Sequence, residues 1–190
     1  MKIEQVKEQL KTDLKEARYN HVLRVTDEAF KLNQLLNLGL DDRKVIMAAL
    51  LHDCAKNNEE KYFNEFKKKY NLKREEVFED FTLSHAILGV YVAMEIYGVY
   101  DPEILDAIRW HTTGKEDMTL LEKIIFIADF TEPGRDFKES ALVRNQTLKD
   151  LDKGILLCLD VTIKYLIEKH VIINIETLKA RNYLLRRVNE

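Results

Sequence analysis

The chain is 190 residues long, 46% hydrophobic and 33% charged, a composition typical of a soluble globular protein and too apolar for a disordered one. Its net charge of −3 excludes the strong positive field of many nucleic-acid-binding proteins, and no apolar run approaches the roughly 20 residues that span a bilayer. The amino terminus lacks the apolar segment of a signal peptide. We therefore expect a cytoplasmic, soluble protein that binds neither nucleic acid nor membrane.

Apolar residues recur at helical spacing along most of the chain, and its two prolines and four of its six glycines fall between these patterns or at their ends. In chain order, the predicted helices carry residues 3–14, residues 21–36, a segment from Asp41 or Asp42 to the stretch AALLHDCAK, residues 59–70, a segment from Ser84 to Gly98, a segment that begins at Asp101-Pro102, the run LLEKIIFIADF, residues 139–169 and residues 175–188. Each pattern predicts a helix with one buried face.

Polar residues of the kind that cap helices stand before several of these patterns. Ser84 and Asp101 are predicted N-caps, and Thr119 with Glu122 has the spacing of a capping box. Asn174 is the predicted cap of the last helix. These caps support the helical interpretation independently of the apolar spacing.

The sequence therefore predicts an all-α fold. The run HVIINI at 170–175 is the only β-like segment, and no repeat or flexible linker divides the chain. We expect a single domain over residues 1–190 with about eight or nine helices. Its C-terminal helices, residues 139–188, are predicted to pack on a core of about residues 17–135.

Five polar interruptions occur on helical stripes or helix ends that are otherwise apolar. They are His21, His52 (followed directly by Asp53), His85, His111 and Asp129. A single buried histidine is usually a hydrogen-bonded core residue, but burying an unpaired carboxylate costs several kcal/mol. One divalent cation would explain all five interruptions together, because neutral imidazoles and carboxylates are common metal ligands.

The order histidine, His-Asp pair and later aspartate resembles that of the HD-domain metal-dependent phosphohydrolases. The segments RYNHVLRV, AALLHDCAK, SHAILG, AIRWHTTG, EKIIFIADFTEPGRDF and ARNYLL, which span about residues 17–186, further resemble the YqeK-type family of HD-domain proteins. That family consists of symmetrical diadenosine tetraphosphate hydrolases that bind iron. The resemblance thus implies an HD-domain helical bundle that cleaves dinucleoside tetraphosphates symmetrically to two ADP.

The resemblance also implies roles for individual residues. It implies a metal held by His21, His52, Asp53 and Asp129, and a substrate that meets these ligands together with Lys56, His85, His111, Thr112 and Arg135. Asn174 stands where that family commonly has a histidine, near the expected nucleoside pocket.

Phosphoanhydride hydrolysis suits such a site, because a metal lowers the pKa of a bound water and neutralises charge on the phosphate. The ligand types favour iron or manganese, and their spacing does not choose between them. Asp53, His85 and His111 are the expected catalytic residues. The two histidines either bind a second metal or protonate and hold the phosphate. Glu132 either supports the metal site from outside or belongs to a helix end.

Other functions are compatible with the same pattern. The metal site could act on another nucleotide, such as a mononucleotide, a deoxynucleotide or an alarmone. A non-catalytic nucleotide-binding regulator is a third interpretation, and a homodimer is a further expected assembly. A turnover assay on a panel of nucleotides would separate these functions.

Overall fold

The structure is a computed structural model, and it describes residues 1–189. The helices are α1 (Ile3–Asp13), α2 (Glu16–Leu35), α3 (Asp42–Leu51), α4 (Glu59–Phe66), α5 (Arg74–Val77), α6 (Ser84–Glu95), α7 (Pro102–Trp110), α8 (Leu120–Thr131), α9 (Lys138–Thr147), α10 (Leu151–Glu168) and α11 (Ile175–Asn189). These residues contain no strand, so the predicted all-α class is confirmed. The described helices number eleven rather than eight or nine.

The two additional helices have separate origins. One is the single turn α5, which lies in a segment without apolar spacing. The other arises because the predicted helix 139–169 is divided into α9 and α10. The side chain of Asp150 accepts a hydrogen bond from the backbone of Lys153 and so caps α10. A Cβ atom at Gly154 would lie 2.2 Å from Thr147 Oγ1, so this glycine allows α10 to lie close against the end of α9.

Most of the predicted caps occur where the sequence placed them. Asp101 accepts a hydrogen bond from the Glu103 backbone, Asn174 accepts one from Glu176, and the capping box of Thr119 and Glu122 is formed. Ser84 was wrongly assigned as an N-cap. Leu83 holds that position, and the Ser84 hydroxyl donates to the carbonyl of Phe81 instead.

The helices that carry the polar interruptions pack against one another. α2 contacts α3 and α8, and α7 contacts α3, α6 and α8. Their apolar faces form the core, which includes Val22, Val25, Leu50, Ile108 and Ile124, all fully buried. α10 contacts α8, α9 and α11. Among the described residues, no helix is both long enough and apolar enough to cross a membrane.

Candidate metal centre

Residues that are up to 108 positions apart in the sequence meet at one point between these helices. The cluster contains His21 from α2, His52 and Asp53 from the end of α3, His85 from α6, His111 from the end of α7 and Asp129 from α8. All are buried except Asp129, which is partly exposed. They form three overlapping triplets, and within each triplet the potential ligand atoms lie within 4.8 Å of one another.

One side of the cluster brings the four predicted metal ligands together. Asp53 Oδ2 lies 3.7 Å from His21 Nε2 and 3.5 Å from His52 Nε2. Asp129 Oδ1 lies 3.1 Å from His21 Nε2. Ligand atoms that bind one ion at about 2.1 Å stand roughly 3 to 3.5 Å apart, so this spacing suits a shared ion.

His52 and His111 each occupy the position that follows the last residue of a helix. The Nδ1 atom of His52 lies 2.7 Å from the carbonyl oxygen of Ala49, and that of His111 lies 2.7 Å from the carbonyl of Ile108. A carbonyl only accepts, so both Nδ1 atoms carry protons. Carbonyl groups in the last turn of a helix have no partner within the helix. Each imidazole therefore caps its helix with Nδ1 and faces the cluster with Nε2.

Two buried nitrogen atoms in the cluster lack a hydrogen-bond partner. They are Nε2 of His21 and Nε2 of His52. Leaving a buried polar atom without a partner costs about 1–3 kcal/mol. Both atoms face the carboxylates of Asp53 and Asp129, which is the arrangement expected of ligands to a cation.

The charges of the cluster also favour a cation. Burial alone would raise the pKa of Asp53, but the imidazoles of His52 and His111 hold it well below its ordinary value. The pKa of Asp129 is lowered in spite of its burial, chiefly by its contact with the imidazole of His21. Burial would lower the pKa of His52, yet the two carboxylates raise it. The two ionised carboxylates thus attract positive charge, and the residues present fit a divalent metal.

The other side of the cluster has a different hydrogen-bond pattern. Lys56 Nζ lies 3.0 Å from His85 Nδ1, and an ammonium group has donors only. The proton of His85 is therefore on Nε2, which lies 3.3 Å from Asp53 Oδ1 and 3.2 Å from His111 Nε2. Burial, assisted by the neighbouring His111 and Lys56, lowers the pKa of His85 to about 3, so the ring is neutral. With a proton on Nε2, His85 is suited to donate a hydrogen bond rather than to bind a second metal.

Thr112 completes this side of the cluster. Its hydroxyl oxygen lies 3.1 Å from His111 Nε2 and 3.5 Å from His85 Nε2. Thr112 is partly exposed, whereas both histidines are buried. The hydroxyl therefore lies between the imidazoles and the surface.

A cleft of about 310 Å³ opens beside the cluster. It is lined by Lys15, Ala17, Arg18, His21, Arg24, Asn57, Glu132, Gly134 and Arg135. Arg18 Nη1 donates to Asp53 Oδ2 over 2.7 Å, and Arg135 Nη2 donates to Asp129 Oδ1 over 2.5 Å. Four basic side chains line this cleft, so it suits an anionic ligand next to the cluster.

Three of these basic residues, Lys15, Arg18 and Arg24, were not predicted from the sequence to be part of the site. Arg18 and Arg24 lie three positions before and after His21, a spacing that places side chains on one helical face and could have identified them. Lys56, predicted to meet phosphate, contacts His85. Asn174 caps α11 and is not among the residues that line the cleft.

The chain is similar to known proteins over nearly its full length. The profile of the HD domain family matches residues 18–134. The chain is similar to a protein of Halalkalibacterium halodurans (38% identity, covering 93% of each chain) and one of Staphylococcus aureus (35% identity, covering 96% of this chain and 94% of the other). Both are named symmetrical bis(5'-nucleosyl)-tetraphosphatase.

A solved structure is also similar over nearly the full length. It is a crystal structure of a Clostridium acetobutylicum protein described as a predicted HD superfamily hydrolase involved in NAD metabolism. The TM-score is 0.89 and the identity is 38%, and the similarity covers 98% of both chains.

Proposed function

We propose that this chain hydrolyses diadenosine tetraphosphate and related dinucleoside tetraphosphates to two molecules of ADP. The chain belongs to the HD-domain family and, within it, to the YqeK-type family. The relatives named above are symmetrical bis(5'-nucleosyl)-tetraphosphatases by name. One observation carries the proposal. A buried cluster suited to a divalent cation lies beside a cleft lined by four basic side chains. A polyphosphate needs both features, because its transferring phosphorus requires charge neutralisation and its other phosphates require cationic contacts.

The proposed ligands are His21, His52, Asp53 and Asp129. The unpaired Nε2 atoms of the two histidines and the lowered pKa values of the two carboxylates support this assignment. A divalent metal bound there would supply a hydroxide-like nucleophile at neutral pH and would polarise a phosphate oxygen. Nitrogen and carboxylate ligands together suit iron, our preferred metal, or manganese.

The residues on the Oδ1 side of Asp53 are proposed to act on the substrate. His85, with a proton on Nε2, is suited to donate a hydrogen bond or a proton to a phosphate oxygen. Lys56 keeps that ring in the required tautomer through its contact with Nδ1. His111 and the hydroxyl of Thr112 lie within hydrogen-bond distance of each other and of His85, so they extend the same network.

Asp53 is proposed to serve both sides. Its Oδ2 faces the ligands His21 and His52, while its Oδ1 faces His85 at 3.3 Å. An ionised carboxylate in this position can accept a proton from the attacking water. Asp53 is therefore assigned a catalytic role in addition to its role as a ligand.

The basic side chains of the cleft are proposed to hold the phosphates. Arg135 and Arg18 each contact a proposed metal-ligand carboxylate, so an anionic group bound by either arginine would lie next to the metal. Symmetrical cleavage requires water to attack the second phosphorus atom counted from one nucleoside. The bond from that phosphorus to the central bridging oxygen then breaks, and ADP leaves with the oxygen.

Product analysis tests the proposal. The native protein is supplied with iron or manganese and diadenosine tetraphosphate, and the products are separated by chromatography. We expect ADP alone. AMP together with ATP would overturn the symmetrical assignment and leave the metal site standing. Faster phosphate release from a mononucleotide or an alarmone in the same assay would favour another HD-domain phosphohydrolase, and no turnover on any nucleotide would favour a binding protein.

The domain organisation, location and assembly of the protein are also proposed. A single domain over residues 1–190 agrees with the packing of α10 on α8, α9 and α11. A cytoplasmic location and a homodimer remain predictions from the sequence. Sedimentation of the purified protein measures its oligomeric state directly.

A further inference from the structure

Glu132, the residue that follows α8, is buried against the metal cluster and is only 2% exposed. Its Oε1 atom lies 3.0 Å from Nδ1 of His21. Nδ1 is the nitrogen of His21 that points away from the cluster. Among the described residues, Glu132 is the only side chain that forms a hydrogen bond with it. The inward nitrogen, Nε2, faces the carboxylates of the cluster.

The position of His21 in its helix explains why a side chain is needed to accept its Nδ1 proton. His52 and His111 lie at helix ends, where free backbone carbonyls accept their Nδ1 protons. His21 lies inside α2, where the carbonyls of the preceding turn already accept the helix's own N–H groups. An acceptor for His21 must therefore come from another element, and Glu132 provides it.

Two further groups hold the Glu132 carboxylate in place. Arg24 donates to it through Nε over 2.6 Å and through Nη2 over 3.2 Å, and the backbone N–H of Gly134 donates over 2.5 Å. Burial would raise the pKa of Glu132, but the bonds from Arg24, His21 and Gly134 lower it to about 2. Arg24 and the Gly134 N–H can only donate, so the carboxylate is the acceptor in these bonds and accepts from His21 as well.

Gly134 also provides the space in which Arg24 lies. A Cβ atom at position 134 would stand 2.4 to 2.6 Å from the guanidinium group of Arg24. That group is already held by Glu132, so it cannot move away without breaking both bonds. The stretch Glu132-Pro133-Gly134 thus combines an acceptor for His21 with the clamp that holds the acceptor.

We propose that Glu132 is a positioning residue for the metal centre: it accepts the Nδ1 proton of His21 and so directs the Nε2 lone pair at the metal, while Arg24 and Gly134 hold its carboxylate. This inference rests on the proposed function, because it concerns one ligand of the proposed metal. Carboxylates that hydrogen-bond to metal-ligating histidines fix the tautomer and the ring orientation, and their loss typically weakens metal binding about 10–100-fold.

A purely structural role is the competing explanation, and the chain contains a matched control for it. Glu28 is equally buried, at 1% exposure, and is held by Arg144 through Nε over 2.7 Å and Nη2 over 3.3 Å. Its other hydrogen-bond partner among the described residues is the hydroxyl of Thr131, so none of these hydrogen bonds involves a histidine. Glu28→Gln therefore removes a buried carboxylate of the same kind without affecting a metal ligand.

The test measures Mn²⁺ affinity by calorimetric titration of the full chain after chelation, together with the visible spectrum of the Co²⁺ form. We expect Glu132→Ala to weaken Mn²⁺ binding about 10–100-fold and to change the Co²⁺ spectrum. Glu132→Gln keeps an oxygen acceptor, so we expect it to recover part of the affinity. Glu28→Gln is expected to lower the melting temperature and to leave affinity and spectrum unchanged.

Native affinity and a native spectrum in Glu132→Ala would overturn the inference, and so would an equal loss of affinity in Glu28→Gln. If Glu132→Ala does not fold, the comparison of Glu132→Gln with Glu28→Gln decides. Weaker Mn²⁺ binding in Glu132→Gln than in Glu28→Gln supports a positioning role for Glu132. Equal Mn²⁺ affinities in the two variants contradict it. Failure of the native protein to bind any divalent metal would instead contradict the proposed function, so the two failures are distinguishable.

Discussion

The two carboxylate oxygens of Asp53 lie in different environments, although histidines surround both. Oδ2 faces Nε2 of His21 and of His52, and neither nitrogen has a hydrogen-bond partner. Oδ1 faces His85 and His111, whose Nε2 atoms lie 3.2 Å from each other. One side therefore needs a cation to satisfy its nitrogens, while the other is already a connected hydrogen-bond network.

The difference arises from the group that each outward nitrogen meets. Acceptors face Nδ1 of His21, His52 and His111, so their Nε2 atoms are free of protons. Those of His21 and His52 can bind a metal, and that of His111 accepts from His85. A donor, Lys56, faces Nδ1 of His85 and makes the Nε2 of that ring a donor instead. Residues of the same type thus acquire different chemistry from the hydrogen bonds on their outward sides.

The largest expected effect comes from breaking the Oδ2 side. His52→Ala and Asp53→Ala should each abolish metal binding and reduce turnover on the order of 10⁴-fold or more, because each removes a ligand from the centre of the site. Metal analysis and turnover of diadenosine tetraphosphate measure the two effects. Native protein treated with a chelator should likewise lose its turnover. Circular dichroism checks that the variants fold. Full metal content and rate in either variant would contradict the ligand assignment.

The next effect separates the two sides directly. His85→Gln should retain the metal but lower kcat by about 10²–10⁴-fold, the usual contribution of a group that transfers a proton in the transition state. Metal content and kcat are measured on the same preparation, with His52→Ala as the contrasting variant. Loss of metal in His85→Gln would show that His85 is a ligand, and the distinction between the two oxygens of Asp53 would then fail.

Smaller losses are expected from the cationic side chains. Lys56→Ala and Arg135→Ala should keep the metal and lower kcat/KM roughly 10- to 100-fold, since a charge-assisted contact contributes about 1.5–3 kcal/mol. Lys164→Ala is a control for loss of charge, because that side chain is 78% exposed on α10. Native kinetics in both Lys56→Ala and Arg135→Ala would remove these residues from the site.

Much of this arrangement could be predicted from the sequence because it depends on local patterns. Apolar spacing predicts the all-α fold, and the polar residues that interrupt it predict which side chains the helices bring together. Helix crossings are not local. The predicted helix 139–169 is divided into two helices that lie in close contact at Thr147 and Gly154, and apolar spacing carries no record of that contact.

Hydrogen-bond partners were harder to predict than positions. The sequence places Lys56 one turn beyond Asp53, but its contact with His85 depends on how α6 packs. Arg18 reaches Asp53 from α2, across 35 positions of sequence. Charge and spacing indicate that such side chains face the site, whereas the partner of each is decided by tertiary packing.

The smallest expected effect tests the Oδ1 network at its partly exposed end. Thr112→Val removes a hydroxyl within 3.1 Å of His111 Nε2 at almost constant volume. An uncharged hydrogen bond contributes about 0.5–1.5 kcal/mol, so kcat/KM should fall roughly 2- to 12-fold with metal content unchanged. Thr112→Ser keeps the hydroxyl and should recover most of the rate. Native kinetics in Thr112→Val would exclude the hydroxyl from the network, whereas a loss above a hundredfold would indicate that it contacts a charged phosphate oxygen directly.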